Sequence, residues 1–329
     1  MSKIIYAVGL DADGHIYHKA YRKDPSEYED KAIRHNAPLL EYIRRRAALL
    51  GGQGDEVEIH ICVFSRRQSQ WVDFAMSIEN NTGLFFRDIQ IIAEHLGAKL
   101  EKVLLADFYG GPHLPEGHSF DSAVNDPSGS DPNREHPAWC DDNSKLTILY
   151  PHLHKLAKEN PTTTICYDAL DDDEIILDKL SRYCAIHSSR MFPKIVKEVL
   201  FGEYKGQQVD TRRGFVSGGG IIDANYRETV LEMAGICRER VGMVDVDISE
   251  ISIDACRHIH PDLLTKRQAF KFPVEPELGS AEAVIKKEPV ASYFTNELGL
   301  FKAIFFQSRL NRVQPIEDDI RDESRPSAH

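Results

Sequence analysis

Residues 4–10, Ile-Ile-Tyr-Ala-Val-Gly-Leu, form a short apolar run that stops at Asp11-Ala12-Asp13-Gly14. The run is apolar throughout and partly β-branched, so it reads as a buried parallel strand followed by a tight turn. Few other arrangements suit such a run. A strand apolar on both faces needs helices above and below it, and this commits the chain to a layered fold. The rest of the sequence continues the pattern. Strands are predicted at 57–64, closed by Ser65, at 103–107, at 162–167 and at 195–201. Helical periodicity occupies 26–50, then 68–97 with a break near Asn80-Asn81-Thr82-Gly83, then 144–159 and 174–187. The alternation predicts an α/β fold, a parallel sheet flanked by helices. Ligands of such sheets bind at the carboxyl ends of the strands. Three of those ends carry Asp11 with Asp13, Ser65, and Asp168 with Asp172.

Length and charge set the outer limits. A chain of 329 residues suits a domain of about 200 residues with an appendage. The expected division is a catalytic domain at 1–240, a mostly helical appendage at 241–314 and a disordered acidic tail at 315–329. The net charge of −12 gives no general attraction to nucleic acid, whereas clustered carboxylates suit metal ions. The six cysteines form no CxxC pair and read as free buried thiols of a reducing compartment. The opening has no secretory pattern, and no run approaches the ~20 apolar residues of a membrane span. The expectation is a soluble protein, at most attached to a membrane surface. Residues 298–313 would form an amphipathic helix with Leu300, Phe301, Ile304, Phe305 and Leu310 on one side and Lys302, Arg309 and Arg312 as its cations. Such a helix either packs on the main domain or docks on anionic lipid.

Two aspartates just past a buried strand can face one cavity. An ionised Asp11 there can attack phosphorus. Its approach to a phosphate demands a cation, and Mg²⁺ takes hard oxygen ligands while leaving room for substrate. Asp13 is placed to protonate the leaving oxygen and then activate water. A calcium loop is rejected, because its twelfth position would be Arg22 rather than Glu. Ser65 can donate to a phosphate oxygen, although serine after a strand is more commonly a helix cap. Lys145, at the start of a helix where a cation opposes the dipole, can counter Asp11 and the phosphate. Asp168, Asp171, Asp172 and Asp173 would repel one another unless solvated or bound to metal. The run 171–174 also suits the acidic first turn of a helix, which leaves Asp168 to explain.

The order Asp11-x-Asp13, Ser65, Lys145, Asp168…Asp172 resembles the four motifs of the haloacid dehalogenase superfamily of phosphatases over residues 1–200. The resemblance implies a Rossmann-like sheet with Mg²⁺ held by Asp11, the Asp13 backbone carbonyl and Asp168, joined by Asp172 or Asp173. It assigns the nucleophile to Asp11, acid/base duty to Asp13, and phosphate contacts to Ser65 and Lys145. The stretches 142–161 and 214–233, the latter containing Gly218-Gly219-Gly220, are further similar to phosphotyrosine phosphatases of this superfamily that intracellular bacteria deliver through type IV secretion. This implies an effector acting in the host cytoplasm, and Glu317, Asp318, Asp319, Asp322 and Glu323 resemble its acidic translocation signal. The short gap at 14–57 leaves little room for a cap, so an open site for a phosphorylated protein is expected. Tyr109, His113, His118, Phe120 and Trp139, in a long loop predicted at 108–143, either grip a phosphotyrosine ring or pack that loop down. The alternatives are a phospho-ligand or phosphoinositide-binding module without turnover, and a phosphatase of small metabolites.

Overall fold

The computed structural model describes residues 2–26, 30–52, 54–109, 114–126, 141–142, 145–231, 233 and 245–246. The expected appendage at 241–314, apart from two residues, and the tail at 315–329 lie outside them, as do His113, Trp139 and Ser144.

The strands are β1 (Lys3–Leu10), β2 (Glu56–Val63), β3 (Lys99–Glu101), β4 (Asp141–Asp142), β5 (Thr164–Asp171), β6 (Val196–Glu203), β7 (Phe215–Val216) and β8 (Asp245–Val246). The helices are α1 (Lys19–Lys23), α2 (Lys31–His35), α3 (Ala37–Leu50), α4 (Gln70–Asn80), α5 (Phe85–Leu96), α6 (Leu105–Tyr109), α7 (His118–Asn125), α8 (Leu146–Glu159) and α9 (Glu174–Met191). Six strands form one sheet in the order β3-β2-β1-β5-β6-β7. All its neighbours are parallel except β7, which pairs antiparallel with β6. β4 and β8 pair with each other alone. The main sheet, mostly parallel and flanked by helices, is compatible with a Rossmann-like fold. From β1 the chain steps outward through β2 and β3, then crosses to β5 and moves the other way. The order therefore reverses between β1 and β5, the crevice where α/β sheets bind ligands.

Strand alternation divides the core. Ile5 and Ala7 of β1, with Ile165, Tyr167 and Ala169 of β5, pack among residues of α8 and α9. Tyr6, Val8 and Leu10, with Cys166 and Leu170, face the opposite layer, which holds Leu39, Leu40 and Ile43 of α3 and Ile89 and Ile92 of α5. Burying each such aliphatic side chain stabilises the fold by about 1.5–3 kcal/mol. The helical pattern predicted at 26–50 is divided at Asn36, whose backbone carbonyl accepts from the Leu40 amide at 3.0 Å to open α3, with Pro38 in the first turn. The break predicted near residue 81 is an Asn81 in the left-handed conformation, φ 50°.

Three local expectations are corrected. The strand predicted at 103–107 is instead the helix α6, and β3 lies earlier. Gln68 explains the change: its side-chain oxygen accepts from the Leu105 amide (3.0 Å) and its backbone carbonyl from the Ala106 amide (3.2 Å). Those amides are satisfied without a strand partner. The loop predicted at 108–143 contains α7, held by Asp107 accepting from the Gly117 and Ser119 amides. Tyr109 and Phe120 from this region are buried in the core, Phe120 against Phe86 at 5.2 Å, so neither can hold a substrate ring. His118 is exposed.

The glycine triplet at 218–220 lies against the end of α9. A Cβ on Gly219 would come within 2.6 Å of the Ser189 carbonyl oxygen, and those on Gly218 and Gly220 would overlap the Pro193 and Arg190 carbonyl oxygens. The bare backbone lets Gly218 donate to the Val196 carbonyl and Gly220 to that of Phe192, both at 2.9 Å. The triplet is a packing device, remote in kind from a phosphate loop.

Candidate active site

The register of β1 against β5 pairs Leu10 with Leu170. Asp11 and Asp171, the next residues, thus emerge side by side at the switch point. Lys145 joins them from the residue before α8. Its Nζ donates to Asp11 Oδ1 at 2.8 Å and to Asp171 Oδ2. Its own backbone is left-handed, φ 58°, a conformation that non-glycine residues seldom adopt. α8 is buried almost all round, with Leu146, Leu149, Leu153 and Leu156 in the core, so Lys145 enters the interior with it. The lysine is 2% exposed and lies 5.3 Å from the Phe64 ring centroid. Burial disfavours its charge, but the fields of Asp11 and Asp171 outweigh that and raise its pKa.

Asp172 completes the cluster. One carboxylate oxygen from each of Asp11, Asp171 and Asp172 lies within 4.8 Å of the others. Gly14, at φ +80°, makes the space: a Cβ there would overlap the Asp172 carboxylate. Burial, reinforced by the charges of Asp11 and Asp171, pushes the Asp172 carboxyl up to about 7. Burial also raises Asp11, against the pull of Lys145. Three carboxylates and one lysine so close remain short of positive charge. Clustered carboxylate oxygens of this kind could hold a metal ion. Asp173, the alternative to Asp172, caps α9 by accepting from the Ile175 and Ile176 amides at 2.8 and 3.3 Å.

Asp168 is not in this cluster. β5 continues through Asp168 to Asp171, and residues of opposite parity on a strand face opposite sides of the sheet. Asp168 therefore points into the α3 layer. Its Oδ2 accepts from the Tyr6 and Tyr42 hydroxyls, each at 2.8 Å, and Arg46 Nε lies 3.8 Å away. The expected ligand role of Asp168 fails on this geometry, and Asp171 occupies the place intended for it.

Asp13 follows the strand end, but its carboxylate is gripped by a partner that the sequence reading passed over. Arg67 donates through Nε to Asp13 Oδ2 at 3.0 Å and through Nη2 to Oδ1 at 2.8 Å. Asn80 and Arg22 also donate to Oδ1, at 3.0 and 3.3 Å. Arg67 is itself 1% exposed and holds Asp73 at 2.9 Å. Ser65 lies just past β2, buried, with its hydroxyl oxygen accepting from the Arg67 amide at 3.3 Å. The nearby helix cap is Ser69, which accepts from Val72 at the start of α4, and this leaves Ser65 outside that duty. His15 is a second residue the sequence did not single out. It is fully buried, burial lowers its pKa to about 4, and the field of Asp11 opposes that only in part. The cue for Arg67 was the Arg66-Arg67 pair directly after Ser65. The cue for Asp171 was the apolar pair Ala169-Leu170, which extends the strand beyond Asp168.

No protein-family model, curated protein or solved structure matches the chain.

Proposed function

We propose that the chain is a Mg²⁺-dependent phosphomonoesterase of the haloacid dehalogenase type, acting on phosphotyrosine in proteins. One observation carries the reading. At the switch point, Asp11 is held by a buried lysine beside two further carboxylates suited to a cation. Asp11 attacks phosphorus, the bond to the leaving oxygen breaks, and an aspartyl phosphate forms. Water then attacks that phosphorus and returns the carboxylate with inorganic phosphate. Lys145 fixes the Asp11 oxygen and offsets negative charge on the transferring group. Asp171 and Asp172, with Asp11, would hold the Mg²⁺, which supplies Lewis-acid stabilisation of the phosphoryl oxygens. Ser65 and its neighbouring amides face the phosphate. Asp13 gives a proton to the leaving oxygen and takes one from water.

Support for an open, nearly capless site comes from the segment between β1 and β2. Its helices α2 and α3 pack down on the sheet through Ala32, Leu39, Leu40 and Ile43. An open crevice suits a protein substrate more than a metabolite. Delivery into a host cell through type IV secretion, with the C-terminal region reaching an anionic membrane, belongs to the same proposal and rests on the sequence resemblance. The test is turnover of an aryl phosphate with Mg²⁺ by the parent and by Asp11→Asn. A loss in kcat of about 10³-fold or more is expected. Activity that survives the change sinks the mechanism. A panel of phosphopeptides and sugar phosphates then separates protein from metabolite substrates.

One observation favours the second reading, a phospho-ligand or phosphoinositide-binding module without turnover. Asp13 is tied to Arg67 through both carboxylate oxygens, which holds its carboxylate toward the guanidinium and away from a leaving oxygen. In the enzyme reading, Asp13→Asn keeps Mg²⁺ binding and loses turnover; in the module reading, ligand affinity is all there is to measure.

A further inference from the structure

A pocket of about 560 Å³ opens between α1 and the start of α5. That size lies in the range of ligand pockets, about 300–1,000 Å³. Four cations line it, Arg22, Lys23, Lys31 and Arg87, against two carboxylates, Asp24 and Asp88. Both carboxylates are already engaged. Asp24 meets His35 Nε2 at 2.7 Å and accepts from the Ser26 amide at 2.9 Å. Asp88 accepts from the Tyr17 and Tyr21 hydroxyls at 2.8 and 3.2 Å. Arg22 is shared with Asp13, and Lys23, Lys31 and Arg87 still outnumber the two carboxylates, so in a chain of net charge −12 the pocket carries a local surplus of positive charge.

Two wall residues join the pocket to the catalytic crevice. Arg22 donates to Asp13 Oδ1. Thr82 accepts from Arg67 Nη2 at 3.1 Å, the same guanidinium that grips Asp13. A ligand in the pocket therefore ends one side chain away from Asp13.

The geometry points to this pocket as the docking site for an acidic peptide segment flanking the phosphorylated residue of the substrate, a step that rests on the phosphatase reading above. A headgroup bearing several phosphates would crowd its charges against Asp24 and Asp88. Acidic side chains on an extended peptide are spaced by about 3.3 Å per residue and can be set clear of those carboxylates. Tyr21, Leu84 and Ile91 supply apolar wall for the side chains between them.

The experiment uses the full chain with Mg²⁺ and two phosphotyrosyl peptides, identical except for Asp/Glu or Asn/Gln at the flanking positions. Turnover and fluorescence anisotropy are measured for both. The acidic peptide is expected to win by about 5- to 10-fold in kcat/KM, through KM, and to lose that advantage as salt is added. In the charge-reversed variant Lys23→Glu/Arg87→Glu, the acidic-to-neutral ratio falls to one or below. Both side chains are exposed, and a circular dichroism melt checks the fold. Equal KM values for the two peptides in the parent overturn the docking site while leaving the phosphatase reading intact. A ratio unchanged in the variant also overturns it. Absence of turnover sinks the phosphatase reading instead, and the anisotropy ratio then decides the docking site. Tighter binding of a soluble inositol trisphosphate by the parent, lost in the variant, overturns the peptide assignment in favour of a headgroup.

Discussion

Asp168 and Asp171 stand three residues apart on β5, and the sheet lies between them. Asp171 shares a lysine with Asp11 and has Asp172 beside it. Asp168 has two tyrosine hydroxyls and a guanidinium at 3.8 Å, while its Oδ1 is left with no hydrogen-bond partner. The first cluster gathers negative charge around one cation at the mouth of the crevice. The second gives a buried carboxylate two hydroxyl donors in a closed layer, with the Arg46 guanidinium shared between it and Glu198. What differs is the demand for a further ion. The Asp171 group is short of positive charge. The Asp168 group can balance itself by keeping its proton, and burial raises its carboxyl to about 6, against the hydroxyls of Tyr6 and Tyr42 and the charge of Arg46.

The contrast can be broken in four ways. The largest effect is on turnover: Asp171→Asn should cost about 10³-fold in kcat on an aryl phosphate, whereas Asp168→Asn stays within about twofold of the parent. A large loss in the second variant would return Asp168 to the site. Next is the lysine. Lys145→Met leaves Asp11 and Asp171 without their cation, and about 3–5 kcal/mol of stability should be lost in urea denaturation. Added Mg²⁺ should restore part of that, and restoration failing would count against a cation site there.

A third test uses pH. The Asp168 carboxyl is protonated in the native state up to about 6, while an unfolded aspartate releases its proton near 3.8. Between those values the native state binds the extra proton, so stability falls as pH rises from 4 to 6 and levels off above. The fall corresponds to about 3 kcal/mol. Asp168→Asn, still able to accept from both tyrosines, should lose that slope in denaturation curves taken from pH 4 to 7. Smallest is the thermal shift with Mg²⁺. At a hundredfold excess over Kd it is worth about 2.7 kcal/mol, and it should vanish in Asp172→Asn yet persist in Asp168→Asn.

Most of the layered architecture was legible, because buried parallel strands read as apolar runs and each was bounded by polar turns. Asp11, Lys145 and Asp172, which the structure brings together, stood out for the same reason: each stands just outside an element whose end is marked. Asp168 was misplaced because a buried aspartate inside a strand looks like the strand's end. Its tyrosine partners, Tyr6 and Tyr42, come from 162 and 126 residues away in sequence and carry no local signal. Asp168 and Asp171 stand three positions apart on β5, an odd step that exchanges one face of the sheet for the other. Residues 103–107 went wrong differently. Four apolar residues before an aspartate fit strand or helix equally, and the decision lay with Gln68, thirty-seven positions from Leu105. Arg67 was missed because its role depends on Asp13 and Asp73 meeting it in space.

The glycine triplet bears on ancestry. Its three positions are closed to larger residues by carbonyls of the last turn of α9 and of Pro193 just beyond it, and none of that constraint comes from a reaction. Lineages that keep this architecture must keep the glycines whether or not they keep an enzyme. A shared Gly-Gly-Gly here would therefore report a shared packing of the scaffold, and likeness in chemistry has to be sought at Asp11, Lys145 and Asp171.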